Sequence, residues 1–288
     1  MISNKRFTIF THAVLICAAL VIFIPFYLLI IASFSKEGDV ALYGYSLVPR
    51  HLSAEAYQYL LQRSDFFGRG YLVTISVTVI GVVLSLAVSM MFGYMLSRKG
   101  LPGGKVIMFL VVFTMLFSGG QVASYINYVN VLHVKNTIWG LILPNLLMNA
   151  FNVFLFRNYF AVSIPEELSE AARIDGCSEF GIFIKIMVPL SKPIVATIGL
   201  MVGIGYWNDW QNGIYYIDDQ KWYGIQNILN AINTNAKYMA QQGIAGASVP
   251  TEGVRMAAAV LGMLPVLIVY PLFQQYFVKG ITMGSVKG

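Results

Sequence analysis

Two groups of residues have the types and spacing to recognise something, and neither has the means to break a covalent bond. The first comprises Asn145, Asn149 and Asn152 together with the run Tyr206-Trp207-Asn208-Asp209-Trp210. The asparagines recur at i, i+4 and i+7, which places them on one face of a helix. An amide facing lipid leaves hydrogen bonds unmade, so such a stripe must face other helices or a wet cavity. Two readings stay open. The stripe is interhelical glue, worth about 0.6 kcal/mol per contact, or it lines a path for a polyhydroxylated solute. Tyr206, Trp207 and Trp210 suit the second reading, because aromatic faces stack on the C–H faces of sugar rings while Asn208 and Asp209 bond hydroxyls. An interfacial aromatic belt explains the two tryptophans equally well. Asp209 is harder to place in lipid, since a carboxylate at that depth has to be paired or wetted.

The second group is the charged stretch from Ser163 to Pro189. Ser163 followed by Glu166 predicts a capping box, with Pro165 inside the first turn, and Gly176 predicts the end of a helix over 164–175. Ser178 is positioned to cap a second helix running toward Pro189. Leu168, Ala171, Ala172 and Asp175 lie at i, i+3, i+4 and i+7, one face on which two alanines let another backbone approach. Glu166, Glu167 and Glu170 can meet basic residues of a partner. The plain alternative is a solvated loop.

Reactive chemistry is missing from the sequence. It has no His-Glu-x-x-His, no Gly-x-Ser-x-Gly and no clustered carboxylates at a span end. Its three histidines are far apart, and its two cysteines, Cys17 and Cys177, form no disulfide or metal-ligand spacing. A Walker A pattern is also absent, so any ATP-driven step needs another chain. These features argue against a membrane-embedded enzyme and predict no catalytic residue, metal or cofactor in this chain.

The elements that must position both groups are membrane spans. Of 288 residues, 57% are hydrophobic and only 11% charged, with mean hydropathy +0.69. A soluble globule cannot clothe itself with that composition. The net charge of +6 reads as basic loops on one side of a bilayer and not as a nucleic-acid surface. Spans are expected at about 12–34, 71–97, 106–131, 136–159, 193–216 and 254–278, forming a single all-α membrane domain over 1–288. Six crossings put both termini, the basic turn Arg98–Lys105 and the charged stretch on one side, and more than half of the Lys and Arg fall there. Gly199 and Gly203 form a GxxxG that predicts close helix packing.

The charged stretch also carries a family resemblance. Glu170-Ala171-Ala172, then Gly176, then Ile186 and Pro189 resemble the EAA loop of ATP-binding-cassette (ABC) importer permeases, with Val188 where Leu is usual. Trp207-Asn208-Asp209 and the ending Gln274–Gly288 resemble carbohydrate permeases of the maltose-type group. Within it the chain looks like the second, MalG-like subunit, and Phe117–Gly120 with Asn136–Trp139 look closest to the LplC-like branch. The resemblance implies the type I importer permease fold in a bacterial cytoplasmic membrane. It implies a sister permease, two copies of an ATPase that binds ATP and Mg, an extracytoplasmic solute-binding protein, and a sugar as cargo. It further implies that 164–188 forms coupling helices, with Glu167, Leu168, Glu170, Ala171, Ala172, Asp175, Gly176, Ile186 and Pro189 as the ATPase-docking set. A non-sugar solute is the alternative cargo; the scarcity of charge near the spans leans to a neutral one. An outer loop over 233–253 lies where the maltose system reaches toward its binding protein.

Overall fold

The computed structural model describes residues 5–241 and 251–283, so the tip of the expected outer loop, 242–250, lies outside the described residues. Among the described residues the chain is all helix and turn, apart from one isolated antiparallel bridge between Ser35 and Leu52. The helices run α1 (Lys5–Ser33), α2 (Glu37–Tyr43), α3 (Glu55–Gln62), α4 (Ser64–Ser97), α5 (Gly104–Leu116), α6 (Gly120–Ile126) and α7 (Trp139–Ile142). They continue as α8 (Ala150–Val162), α9 (Glu166–Ile174), α10 (Glu179–Ile182), α11 (Val188–Leu190), α12 (Lys192–Trp207), α13 (Gln211–Tyr216), α14 (Ile225–Gln241) and α15 (Thr251–Met283).

Three helical segments, Phe7–Ser33, Ser64–Ser97 and Glu252–Val269, are long and apolar enough to cross a membrane unbroken. Two further crossings are possible only as bent pairs. Gly104–Leu116 meets Gly120–Val131 at 116°, and Glu179–Leu190 meets Lys192–Trp207 at 81°. The expected helix over 136–159 is not continuous. Asn136 and Asn145 both have left-handed φ, 57° and 63°, and Pro144 stands between α7 and α8. Proline lacks the N–H that would continue a helix, and the left-handed Asn145 turns the chain out of it.

The chain divides into two compact units, Met1–Gly68 with Ile228–Pro265, and Arg69–Asn227 with Val266–Gly288. In the first, α1 is apolar all round and its side chains point outward along its length; Phe10 and Ile22 are both about two-thirds exposed. Such a surface is stable only against lipid or another subunit. At its end Ser33 is fully buried, its hydroxyl donating to Ile30 O and pairing with Tyr57 OH at 2.8 Å. Glu37 reaches 215 residues along the chain and accepts the backbone N–H groups of Glu252 and Gly253, both at 2.8 Å. This carboxylate serves as the N-terminal cap of α15, where orphan N–H groups and the positive end of the helix dipole favour an anion.

The second unit is built around a core that includes Val77, Met90, Ile142, Phe156, Ile182, Ile198 and Tyr206. It packs tightly enough to require glycine at Gly93, where a Cβ would stand 2.7 Å from Phe156 Cβ and 3.0 Å from Arg157 N. Gly199 and Gly203, the GxxxG pair, lie against Leu86 and Val82 of α4, so this motif serves packing within the chain.

The Glu37 cap yields a stability prediction. Glu37→Ala should cost about 1–2 kcal/mol, read as a lower thermal unfolding midpoint of the detergent-solubilised protein. An unchanged midpoint would show that α15 is capped by water instead.

Candidate functional site

The charged corner is assembled by local rules that shift its first helix relative to the expected one. Ser163 closes α8, its N–H donating to Tyr159 O at 2.9 Å, and makes no capping box with Glu166. Pro165, at φ −58° and ψ 133°, is the residue before the first turn, and α9 starts at Glu166. The cause is steric: the residue preceding a proline is driven out of the α region, so Ile164 cannot begin a helix. Glu166 and Glu167 then occupy the first turn and Arg173 the last, each complementing the helix dipole.

The helix ends as Gly176 predicts. Gly176 sits at φ +79°, Cys177 N–H donates to Ala172 O at 2.9 Å, and Gly176 N–H donates to Arg173 O at 3.0 Å. These are the two bonds of a Schellman closure. A Cβ at Gly176 would meet nothing within 4 Å, so the glycine is there for its φ and not for space. Ser178 caps the next helix by accepting Gly181 N–H at 3.1 Å. A π turn over Phe183–Met187 leads into Pro189, whose missing N–H already breaks the α ladder.

One face of α9 packs inward and the other is open. Ser169 and Ala172 are buried, and Ala172 joins the core with Ile164, Ile182 and Met187. Glu167, Leu168, Glu170, Ala171, Ile174 and Asp175 are exposed, Ile174 at 87%. The expected face of Leu168, Ala171, Ala172 and Asp175 is therefore split, because the buried side of α9, marked by Ser169 and Ala172, takes in one edge of it. Ala172 and the half-buried Ile186 seat the corner, while Pro189 stays at the surface.

Both ends of α9 are tied to the basic turn after α4. Lys99 pairs with Glu166 at the N-terminus. At the C-terminus, Arg173 Nε donates to Glu179 Oε1 at 2.7 Å, and Arg98 Nη2 donates to the Oε1 and Oε2 of the same carboxylate at 2.8 and 2.6 Å. Tyr94 OH completes the set at 2.9 Å from Oε2. The hydrogen bond from Arg173 holds the Glu179 carboxyl below the usual carboxylate range, helped by Tyr94 and opposed by partial burial. Spacing along the sequence gives no sign of this cluster, since Arg98 and Glu179 are 81 residues apart.

The amide and aromatic group is not the stripe that its spacing suggests. Asn149 caps α8, accepting Phe151 N–H at 2.8 Å, while Asn145 lies in the break before it and Asn152 is buried. Tyr206, 2% exposed, donates to Ile142 O at 2.9 Å. Asn212 Nδ2 donates to Pro144 O at 3.0 Å, and its backbone N–H donates to Asp209 Oδ1 at 3.1 Å. Trp207 is buried and lies 6.4 Å from the Tyr71 ring, whereas Asn208 and Trp210 are exposed. Four of the eight expected path residues, Asn145, Asn149, Asn208 and Trp210, are exposed, while Tyr206 is buried and bonded to Ile142.

With this geometry stand four findings from known proteins. The profile of the binding-protein-dependent transport system inner membrane component family matches residues 89–283. The chain belongs to this family. The polygalacturonan/rhamnogalacturonan transport system permease protein YtcP of Bacillus subtilis (strain 168) is 39% identical over 289 residues, spanning 99% of each chain. Protein LplC of the same organism is 37% identical over 267 residues, 92% of this permease and 89% of that one. A solved chain of a bacterial ABC transporter involved in the import of the acidic polysaccharide alginate superposes with TM-score 0.82 at 30% identity, covering 96% of this permease and 98% of its own length. The fold is therefore that of an ABC importer permease. The permease is a membrane transport component and not an enzyme, and its family works with an ATPase, a solute-binding protein and a second permease.

The Glu179 cluster makes a pH prediction. A depressed carboxyl pKa contributes stability that is present above the ordinary carboxylate pKa and is lost as pH falls through the folded value. With Glu179 56% exposed, the loss in Glu179→Gln should be modest, at most about 1 kcal/mol. The melting difference between wild type and Glu179→Gln should hold from about pH 7 to about pH 5 and shrink below about pH 4. A difference already gone at pH 5 would contradict the depressed carboxyl.

Proposed function

We propose that this chain is the second of two permease subunits in an ATP-driven importer that carries a sugar or oligosaccharide across the bacterial cytoplasmic membrane by alternating access. The observation that carries the reading is the corner helix α9. Its ends are pinned to the chain's own basic turn, while an open face of Glu167, Leu168, Glu170, Ala171, Ile174 and Asp175 is left for a partner. That face is the docking surface for an ATPase, present in two copies, of which one engages this subunit. ATP and Mg bind there and not in this chain. Closure of the ATPase pair is transmitted through 164–176 as a rigid-body switch between inward and outward access.

A carbohydrate cargo is supported by the names of the relatives, which include the melibiose/raffinose/stachyose import permease protein MelC of Bacillus subtilis (strain 168), 29% identical over 99% of this chain. Asn145, Asn149, Asn208 and Trp210 are exposed and offer amides and an aromatic face for hydroxyls and sugar rings, although the Asn208 amide bonds Ile204 and Gln226 and the Asn149 oxygen caps α8. In this reading both termini lie in the cytoplasm. The pairs Lys99–Glu166 and Arg98–Glu179 support that arrangement by holding the basic turn and the corner on one side. An extracytoplasmic binding protein delivers the sugar to the opposite side.

Two variants test the docking role. Glu170→Lys reverses charge on the open face, and Gly176→Pro demands φ near −65° where the chain needs +79°. Both should reach the membrane at wild-type levels yet lose co-purification with the ATPase and cut sugar uptake at least about tenfold, the loss of a charge-assisted contact. Normal uptake by either variant would sink the docking claim.

A further inference from the structure

Behind α9, away from its open face, lies a cavity of about 450 Å³, walled by the ends of α4 and α8, the inner side of α9 and the start of α10. That volume is typical of small-molecule sites, roughly 300–1,000 Å³. Four cations, Arg98, Lys99, Arg157 and Arg173, line it with only two carboxylates, Glu166 and Glu179. Glu179 is shared by Arg98 and Arg173, and Glu166 takes Lys99. Arg157 has no ion-pair partner among the described residues; its Nη1 donates to Asn158 Oδ1 at 3.0 Å. The lining therefore carries two more cations than carboxylates, which raises the positive potential in the recess.

We propose that this cavity is a binding site for a phosphate-bearing anion, with Arg157 as its principal ligand; the cytoplasmic placement rests on the function proposed above. The guanidinium fork matches the paired oxygens of a phosphate and stays charged at any physiological pH. The part-filled Arg98 and Arg173 can share the remaining oxygens. Phe160, Ala161 and Ile164 add apolar wall, and the volume leaves room for a small group attached to the phosphorus. A cytoplasmic phosphate ester and the headgroup of an anionic lipid present the same chemistry. Either would bridge the inner side of α9 to the ends of α4 and α8, and so favour the seated position of the docking helix.

The test uses the assembled, detergent-purified transporter and two probes. Inorganic phosphate is measured by equilibrium dialysis. Lipid retention is measured by native mass spectrometry after exchange through vesicles of phosphatidylcholine with or without phosphatidylglycerol. At least one probe should bind the wild type saturably, and Arg157→Gln should weaken it about tenfold, the worth of one charge-assisted pair. If Arg157→Gln does not accumulate, Arg157→Lys takes its place; it keeps the charge, lacks the two-pronged donor and should bind several-fold weaker. Phosphate binding supports a soluble ester, and retained phosphatidylglycerol without phosphate binding supports a lipid headgroup. A wild type that binds neither probe, or variants that bind as well as wild type, overturns the site. Binding is read without transport, so a complex that binds the anion but moves no sugar leaves this site standing, while a working sugar importer that binds neither probe removes it.

Discussion

A peptide group in hydrocarbon has no water to bond, so each interruption of a helix must be closed by the protein itself. That constraint explains where the polar side chains of the second unit are spent. The break between α7 and α8 frees the carbonyls of Ile142 and Pro144, which accept from Tyr206 OH and Asn212 Nδ2. Asn149 accepts one of the free N–H groups in the first turn of α8, that of Phe151. Asn136, itself in a left-handed turn, accepts the N–H groups of Asp218 and Asp219 on its side-chain oxygen. Thr74 of α4 accepts the N–H of Ile225 at 2.8 Å. Apart from the local Asn149 cap, each contact joins segments far apart in sequence, so the bonds that repair the backbone also fix the fold.

The same economy decides what could be read from the sequence. Composition and run length were sufficient for an all-α membrane chain, because hydropathy depends on no tertiary contact. The end of α9 was legible too, since Gly176 and Ser178 act within a few residues of themselves. Continuity was not legible at Asn145, Asn149 and Asn152, where helical periodicity counts asparagine positions and is blind to the break at Pro144. Once the helix is broken, the three amides no longer share a face. Tyr206 and Asp209 look functional by type, and both also hold the backbone: one donates to a bare carbonyl, the other accepts the N–H of Asn212. The Glu179 cluster was hidden for another reason, as its cations come from a turn 81 residues away.

At the corner the solvent is water and the rules change. Exposed ion pairs are individually weak, about 0–1 kcal/mol, and salt screens them. Lys99–Glu166 alone would orient little, because the lysine side chain is 83% exposed. Glu179 differs in drawing Arg98, Arg173 and Tyr94 onto one carboxylate, so that three elements, α4, α9 and α10, meet at a single group. Geometry more than net stability is what such a network supplies. It holds α9 at a set angle while leaving Glu167, Glu170 and Ile174 uncommitted.

How a push on α9 would reach the spans follows from the packing beneath it. Ala172 on its inner face belongs to the same continuous core as Phe156 of α8, Ile182 of α10 and Ile198 and Tyr206 of α12. A core at crystal-like density does not absorb displacement by local compression. At Gly93 the approach of α4 to α8 is already too close to admit a methyl group. Displacement of α9 therefore has to move these helices together, and Tyr206 carries it further, because its hydroxyl is bonded to the carbonyl at the broken end of α7. In the proposed coupling the buried residues of α9 would matter as much as its exposed ones, because Ala172 and Ser169 join its inner side to the core it rests on.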